Sequence, residues 1–377
     1  MSTMKDYIEH YKDISFDEIP FNEVDNLILA QLSYFEFTGI VPNDKGMIAF
    51  EQALEEYYIR YPYKATRKHL IGIDATIYLY YDLYHGKRYK NLQLSNYVNE
   101  VDEQQQFSAL LIHFPNRTVY VSYSGTDDSI IGWEEDFNMA YLFPVPSQKR
   151  AITYINSVIN WRDRKIYVGG HSKGGNLAMV AAMYAKASIR SRIHTVFNNE
   201  GPGFSKDIVE SRAYQLMSKK MKMYVPSDSV IGMLFYHPEN YIVVSSIAKG
   251  ILQHDGNTWE CFGGHFIRTK RTRESIQNEM KIKRWISYYD FKEREKIVVN
   301  FFQVLKKSGI EKKSQLDNLT IRKVITMVNQ FRIVPPEEKQ VLIDAFRTFF
   351  TIYRGADPKE KTKKVAVDYN TFKVHTK

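Results

Sequence analysis

Lys165-Ile166-Tyr167-Val168-Gly169-Gly170-His171-Ser172-Lys173-Gly174-Gly175-Asn176, running on as Leu-Ala-Met-Val-Ala-Ala-Met-Tyr to Ala185, is the stretch that decides the fold. Its first four residues are β-branched and aromatic, as in a short buried strand. Asn176 to Ala185 is rich in Ala, Leu and Met without a breaker, which predicts a helix. Between them lies Gly170-His171-Ser172-Lys173-Gly174, a G-x-S-x-G pattern. A nucleophile elbow needs this arrangement, with the serine held at a strained positive φ where strand turns into helix. Residues two before and two after must be small because backbone passes close by, and Gly170 and Gly174 meet that demand. The helix N-terminus behind Ser172 offers free N–H groups where an oxyanion would form. The bland alternative is a glycine-rich turn in which Ser172 only caps the helix.

The rest of the chain supports a large α/β domain with an appendage. Its 377 residues are 44% hydrophobic and 14% aromatic, enough for a substantial core. A single cysteine, Cys261, excludes an intramolecular disulfide framework and a cysteine-based zinc site and suits a reducing compartment. The first twenty residues carry scattered charge and no apolar h-region, and no apolar run approaches the ~20 residues of a membrane span. A cytoplasmic location is the expectation. The net charge of +9 lies largely in Lys and Arg of the C-terminal third and reads as a solvated surface.

In chain order, residues 1–20 read as a flexible segment. Asn22 with Asp25 is a helix N-cap pair. Glu51 to Tyr97 is tyrosine-rich and reads as helix packing. Phe107–Phe114 and Thr118–Tyr123 are strand-like, joined by a Pro115-Asn116-Arg117 turn. The second empties into Ser124-Gly125-Thr126-Asp127-Asp128, where hydrolases with a serine elbow place a second oxyanion donor. Phe137 to Pro146 reads as a loop or the flank of a lid. His194–Phe197, Met221–Val225 and Tyr241–Val244 are further strands. Alternation with helices predicts a mostly parallel sheet covered on both faces, an α/β fold. From about Glu274 the pattern becomes helical, with Asp290 and Glu293 as a cap. The organisation expected is thus a segment 1–20, a domain 21–270, a helical module 271–355 and a disordered basic tail 356–377.

A serine hydroxyl needs a base, and the base an acid to orient it. In α/β-hydrolases they follow in the order Ser, Asp/Glu, His. Asp228, just past Met221–Val225, is the acid by position, with Glu200 the rival one strand earlier. For the base, His254 lies in a loop beyond Tyr241–Val244, with His237 and His265 as alternatives. His171, beside Ser172, should point away.

Gly170-His171-Ser172-Lys173-Gly174-Gly175-Asn176-Leu177-Ala178 resembles the elbow of the fungal-type (class 3) lipases. Ser124-Gly125-Thr126, followed by Trp133 and Asp136, is similar to their oxyanion loop. Asp228-Ser229-Val230-Ile231-Gly232 resembles their acid segment, and His237 to Val243 the strand after it, whose histidine is not catalytic. The resemblance therefore implies Ser172, Asp228 and His254 as a triad, with Thr126 and Lys173 as oxyanion donors. It implies an α/β-hydrolase fold for about residues 18–262, beside the C-terminal helical module read from the helical pattern. A bacterial branch of that superfamily of unknown function is more similar still, through Phe21 to Leu27, Gly125-Thr126-Asp127-Asp128, Gly201-Pro202-Gly203-Phe204, and Gln253-His254-Asp255 with Trp259.

The expected activity is hydrolysis of acyl esters through an acyl-enzyme, on a small-molecule or lipid acyl substrate, with no metal or organic cofactor and no nucleic-acid partner. The chain departs from the lipases at Ser124, where they carry Arg, and at Lys173, where they carry Leu. A basic side chain at the mouth would favour anionic or polar acyl groups. The rival expectation is an idle hydrolase fold whose basic C-terminal part makes a peripheral contact with a partner or an anionic membrane.

Overall fold

The computed structural model describes residues 2–63, 73–237, 240–317, 320–356 and 358. Its centre is a sheet of β1 (Ile48–Ala49), β2 (Gln93–Val101), β3 (Gln106–His113), β4 (Thr118–Tyr123), β5 (Lys165–His171), β6 (Ile193–Asn199), β7 (Met221–Pro226) and β8 (Ile242–Val244). The strands lie side by side in chain order. β1 to β4 pair antiparallel and β4 to β8 pair parallel. The hairpin expected at residues 107–123 is β3 and β4. β2, which pairs with β3, emerges from the end of the tyrosine-rich region, where no strand was expected.

Side chains alternate across the parallel strands as a period of two requires. Tyr120, Tyr167 and Phe197 face a core formed with α2 (Glu23–Gln31), whose nine residues are all buried. Val119, Val121, Ile166 and Val168 face the opposite core, formed with α6 (Pro146–Val158) and α7 (Lys173–Tyr184). Helices therefore cover both faces of a mostly parallel sheet, the α/β-hydrolase arrangement. Leu177 to Met183 are all fully buried, so apolar burial of roughly 1.5–3 kcal/mol per large side chain anchors the helix behind Ser172.

Asn22 and Asp25 form the expected capping box on α2. Asp25 also holds Arg88 in a fully buried ion pair at 2.6 Å and accepts from Tyr7 and Tyr89. That network corrects the reading of residues 1–20 as flexible. Met4–Tyr11 is a helix, α1, with Met4, Tyr7 and Ile8 buried against the domain. In the tyrosine-rich region, α3 (Phe50–Arg60) and α4 (Ile73–Leu83) bury Tyr57, Tyr58 and Tyr80, so packing accounts for those three.

The C-terminal helices α8 (Arg273–Ser287), α9 (Phe291–Lys307), α10 (Ile321–Ile333) and α11 (Pro336–Tyr353) do not stand apart. α9 packs on α5 (Ile130–Asn138), with Ile130, Val298, Phe302, Leu305 and Ile310 in one buried cluster. Residues 137–146, read as a loop or lid flank, begin as the last turn of α5 and lead into α6. All but two residues of the tail 356–377 lie outside the described residues. No helix among the described residues is long and apolar enough to cross a membrane.

Candidate active site

β5 delivers the chain into the elbow and α7 leaves it, with Ser172 between them at φ 57° and ψ −131°. A non-glycine residue in that region is strained, at a cost on the order of 1–3 kcal/mol, and persists where its surroundings fix it. Here they do. A Cβ on Gly170 would lie 2.3 Å from the Gly174 carbonyl carbon, and one on Gly174 would lie 2.1 Å from the Tyr123 oxygen. The Ser172 N–H donates to Asn199 O at 3.0 Å, tying the elbow to the end of β6. Ser172 occupies the N-cap position, yet its side chain makes no capping hydrogen bond. The bland reading of the serine as a helix cap does not hold.

Two backbone N–H groups open beside the elbow. Neither Lys173 nor Thr126 donates its amide to a backbone acceptor among the described residues. Lys173 is the first residue of α7, where intrahelical acceptors are missing by geometry. Thr126 follows β4, and its hydroxyl donates to Asp136 Oδ2 at 2.5 Å. Burial pushes the Asp136 carboxyl up to about 6, offset in part by the Lys173 charge and the Thr126 bond. Asp136 lies on α5, so the helix that follows the Ser124–Asp128 loop reaches back to hold it.

His254 ends a short 3-10 turn, Gly250–His254. Its Nδ1 lies 3.0 Å from Glu200 Oε2, at ion-pair distance but without the alignment of a hydrogen bond. Glu200 is the residue after β6, with φ 55°, and its side chain is buried. Its N–H donates to Tyr224 O at 2.8 Å. The following Gly201 passes so near the elbow that a Cβ there would lie 2.4 Å from Ser172 O. The turn Asn198-Asn199-Glu200-Gly201 thus holds a carboxylate beside the elbow.

Asp228, expected as the acid, is not brought to His254. Its Oδ1 accepts from the Thr272 hydroxyl at 2.7 Å, and its Oδ2 from Gly250 N at 2.9 Å and Gln253 Nε2 at 3.1 Å. Its own N–H donates to Gln253 Oε1 at 2.8 Å. Asp228 therefore fixes the turn that carries His254, acting one residue away from the imidazole. The physical reason lies in its partners: Thr272, Gly250 and Gln253 take both Asp228 carboxylate oxygens, whereas the turn after β6 brings Glu200 to 3.0 Å from the His254 ring.

The other histidines stand elsewhere. His237 Nε2 lies 3.8 Å from Glu279, and His265, largely exposed, lies 3.3 Å from Glu23. His171 is buried, and its Nε2 is 2.7 Å from the His254 carbonyl oxygen.

The Lys173 side chain corrects another expectation. It is 1% exposed and turns inward, with Nζ 2.8 Å from both Gln106 O and Gln106 Oε1 and 3.2 Å from Glu135 Oε2. Glu135, also fully buried, accepts from Ser147 N at 2.7 Å through its other oxygen. At the first turn of α7 the side chain runs beneath α5, so its charge is spent on a buried partner and does not face an acyl group at the mouth. Among the described residues no group of three His, Cys, Asp or Glu side chains is placed to hold a metal ion.

Among solved structures, the chain is similar to the lipase of a fungal lipase–inhibitor complex, at 13% identity over 53% of this chain and 82% of that one, with a TM-score of 0.32. It is also similar to M37 lipase, at 13% identity over 55% of this chain and 68% of that one, with a TM-score of 0.30. No sequence among the curated proteins matches it. The Mbeg1-like family model matches residues 83–303, more than half of the chain, a span that includes the Ser124–Asp128 loop, the elbow, Glu200 and His254. The chain belongs to the Mbeg1-like family.

Proposed function

We propose that this chain is a serine ester hydrolase in which Ser172 is the nucleophile, His254 the base and Glu200 the orienting acid. The observation that carries this reading is the strained Ser172, with its hydroxyl unused for capping, on an elbow whose neighbouring loops bring in a His254–Glu200 pair.

Ser172 Oγ attacks the ester carbonyl carbon, and its proton passes to His254 Nε2. The carbonyl oxygen becomes an oxyanion held by the amides of Lys173 and Thr126, each such donor being worth about 3–4 kcal/mol. Glu200, buried at Nδ1, stabilises the imidazolium and selects the tautomer with Nε2 unprotonated beforehand. His254 returns the proton to the leaving alkoxide as the C–O bond breaks. Water, activated by the same histidine, then releases the acid from Ser172. Asp228 serves the reaction indirectly by holding the 250–254 turn.

Initial rates on a short activated acyl ester test this reading. Wild-type turnover lost in Ser172→Ala supports it. A variant that retains wild-type turnover overturns it.

A further inference from the structure

The residue beside the nucleophile has no role in the proposed chemistry, yet it is the best-connected imidazole near the site. His171 is the last residue of β5, is buried, and reaches both sides of the site. Its Nε2 lies 2.7 Å from the His254 carbonyl oxygen, and the two rings lie 4.8 Å apart, centre to centre. Its Nδ1 lies 3.2 Å from the Tyr34 hydroxyl. That hydroxyl presses on the oxyanion loop, since a Cβ on Gly125 would lie 2.0 Å from it.

We infer that His171 is a positioning residue, a neutral strut that holds the base His254 at a fixed distance from Ser172 and braces Tyr34 against the oxyanion loop. This rests on the proposed hydrolase reading of Ser172 and His254. The hydrogen-bond inventory decides the tautomer. A carbonyl oxygen only accepts, so Nε2 carries the proton and donates to His254 O. In a neutral ring Nδ1 is then the acceptor, and the Tyr34 O–H donates to it. Burial, and next the His254 ring beside it, pull His171 down to about 3, so it remains uncharged wherever the enzyme would work.

Neutrality matters for the neighbour. When His254 takes the serine proton it becomes a cation, and a second cation 4.8 Å away would oppose that step. Glu200 supplies the attraction at Nδ1 and His171 supplies none of the repulsion. The groups facing His171 are the His254 ring and carbonyl on one side and Tyr34 on the other; Asp136, Asp127 and Asp255 add negative field at Tyr34.

The test compares His171→Gln, whose side-chain amide can still donate to the His254 carbonyl, with His171→Leu, which fills the space and cannot. Because misplacing a reacting group by about 1 Å costs on the order of 10²-fold, His171→Leu should lose about 30- to 100-fold in kcat with KM within about threefold. His171→Gln should stay within about fivefold of wild type, and the acidic limb of its kcat/KM profile should move by less than about 0.3 pH unit. Tyr34→Phe, which removes only a hydroxyl, should lose a few-fold in kcat and serves if His171→Leu does not fold. Overturning results are a fully active His171→Leu, a His171→Gln as impaired as His171→Leu, or a fully active Tyr34→Phe where His171→Leu is not folded. An inactive wild type would instead fault the hydrolase reading.

Discussion

Replacing Glu200 with Gln should remove far more activity than replacing Asp228 with Asn, and the contrast follows from what each carboxylate touches. Glu200 is buried beside Nδ1 of His254, and among the described residues no hydrogen bond holds its Oε2 elsewhere. Gln at that position keeps the shape and removes the charge that would meet the imidazolium, and its amide nitrogen can force the wrong tautomer. Loss of the orienting acid in a serine triad costs about 10³- to 10⁴-fold in kcat, or roughly 4–5.5 kcal/mol at 1.36 kcal/mol per decade. Asp228 instead accepts from Thr272, Gly250 and Gln253. Asn retains one acceptor oxygen, so the loss is one or two hydrogen bonds of ~0.5–1.5 kcal/mol each from the turn below His254, and the fall in kcat/KM should stay near tenfold or less. Initial rates on a short activated ester, with folding of each variant checked by circular dichroism, give the comparison. If Asp228→Asn is as crippled as Glu200→Gln, or more so, the assignment of Glu200 is wrong.

The buried Lys173–Glu135 pair should behave as a unit. Lys173→Met or Glu135→Gln alone should cost about 3–5 kcal/mol in denaturant unfolding, while the double replacement with Met and Leu should recover most of it, because only the single changes disrupt a buried charge pair. Asp136, raised to about 6 by burial, binds a proton in the folded state that the unfolded chain has released between its ordinary value and 6. Stability from this group is therefore lost as pH rises through that window, and Asp136→Asn should flatten the thermal midpoint between about pH 4 and 6. Phe302→Ala, cutting the cluster that joins α9 to α5, should cost about 3–5 kcal/mol and speed hydrogen exchange of residues 126–138, because Asp136 on α5 supports Thr126.

The elbow was legible because sterics leave so few residues to choose from. Gly170 and Gly174 are forced by backbone contacts close to 2 Å, and that demand is written in the sequence as glycines. The alternation of strands with helices likewise pointed to a sheet covered on both faces, and the packing of Tyr120 and Tyr167 on one face and of Val119, Val121 and Ile166 on the other agrees with it. Position along the chain favoured Asp228 over Glu200, although both follow strands. What separates them is what each carboxylate meets, Thr272, Gly250 and Gln253 for Asp228 and His254 for Glu200, long-range contacts that spacing does not encode. The turn itself held a clue in Gly201, which a chain passing close to the elbow requires. The direction of the Lys173 side chain was hidden for a similar reason. Its partner Glu135 is 38 residues away, on a helix whose contact with the elbow comes only with the tertiary fold. The docking of the C-terminal helices on α5 also depends on distant pieces, the bridge between Ser129 and Lys312 and the Asp128 bonds to Ser314.

Covalent labelling with a serine-directed fluorophosphonate, read by intact mass and peptide mapping, addresses the central claim most directly. A single adduct on Ser172, absent from Ser172→Ala and strongly slowed in His254→Ala, is the predicted result. No adduct on the wild-type chain, or an adduct on another residue that survives in Ser172→Ala, would contradict it.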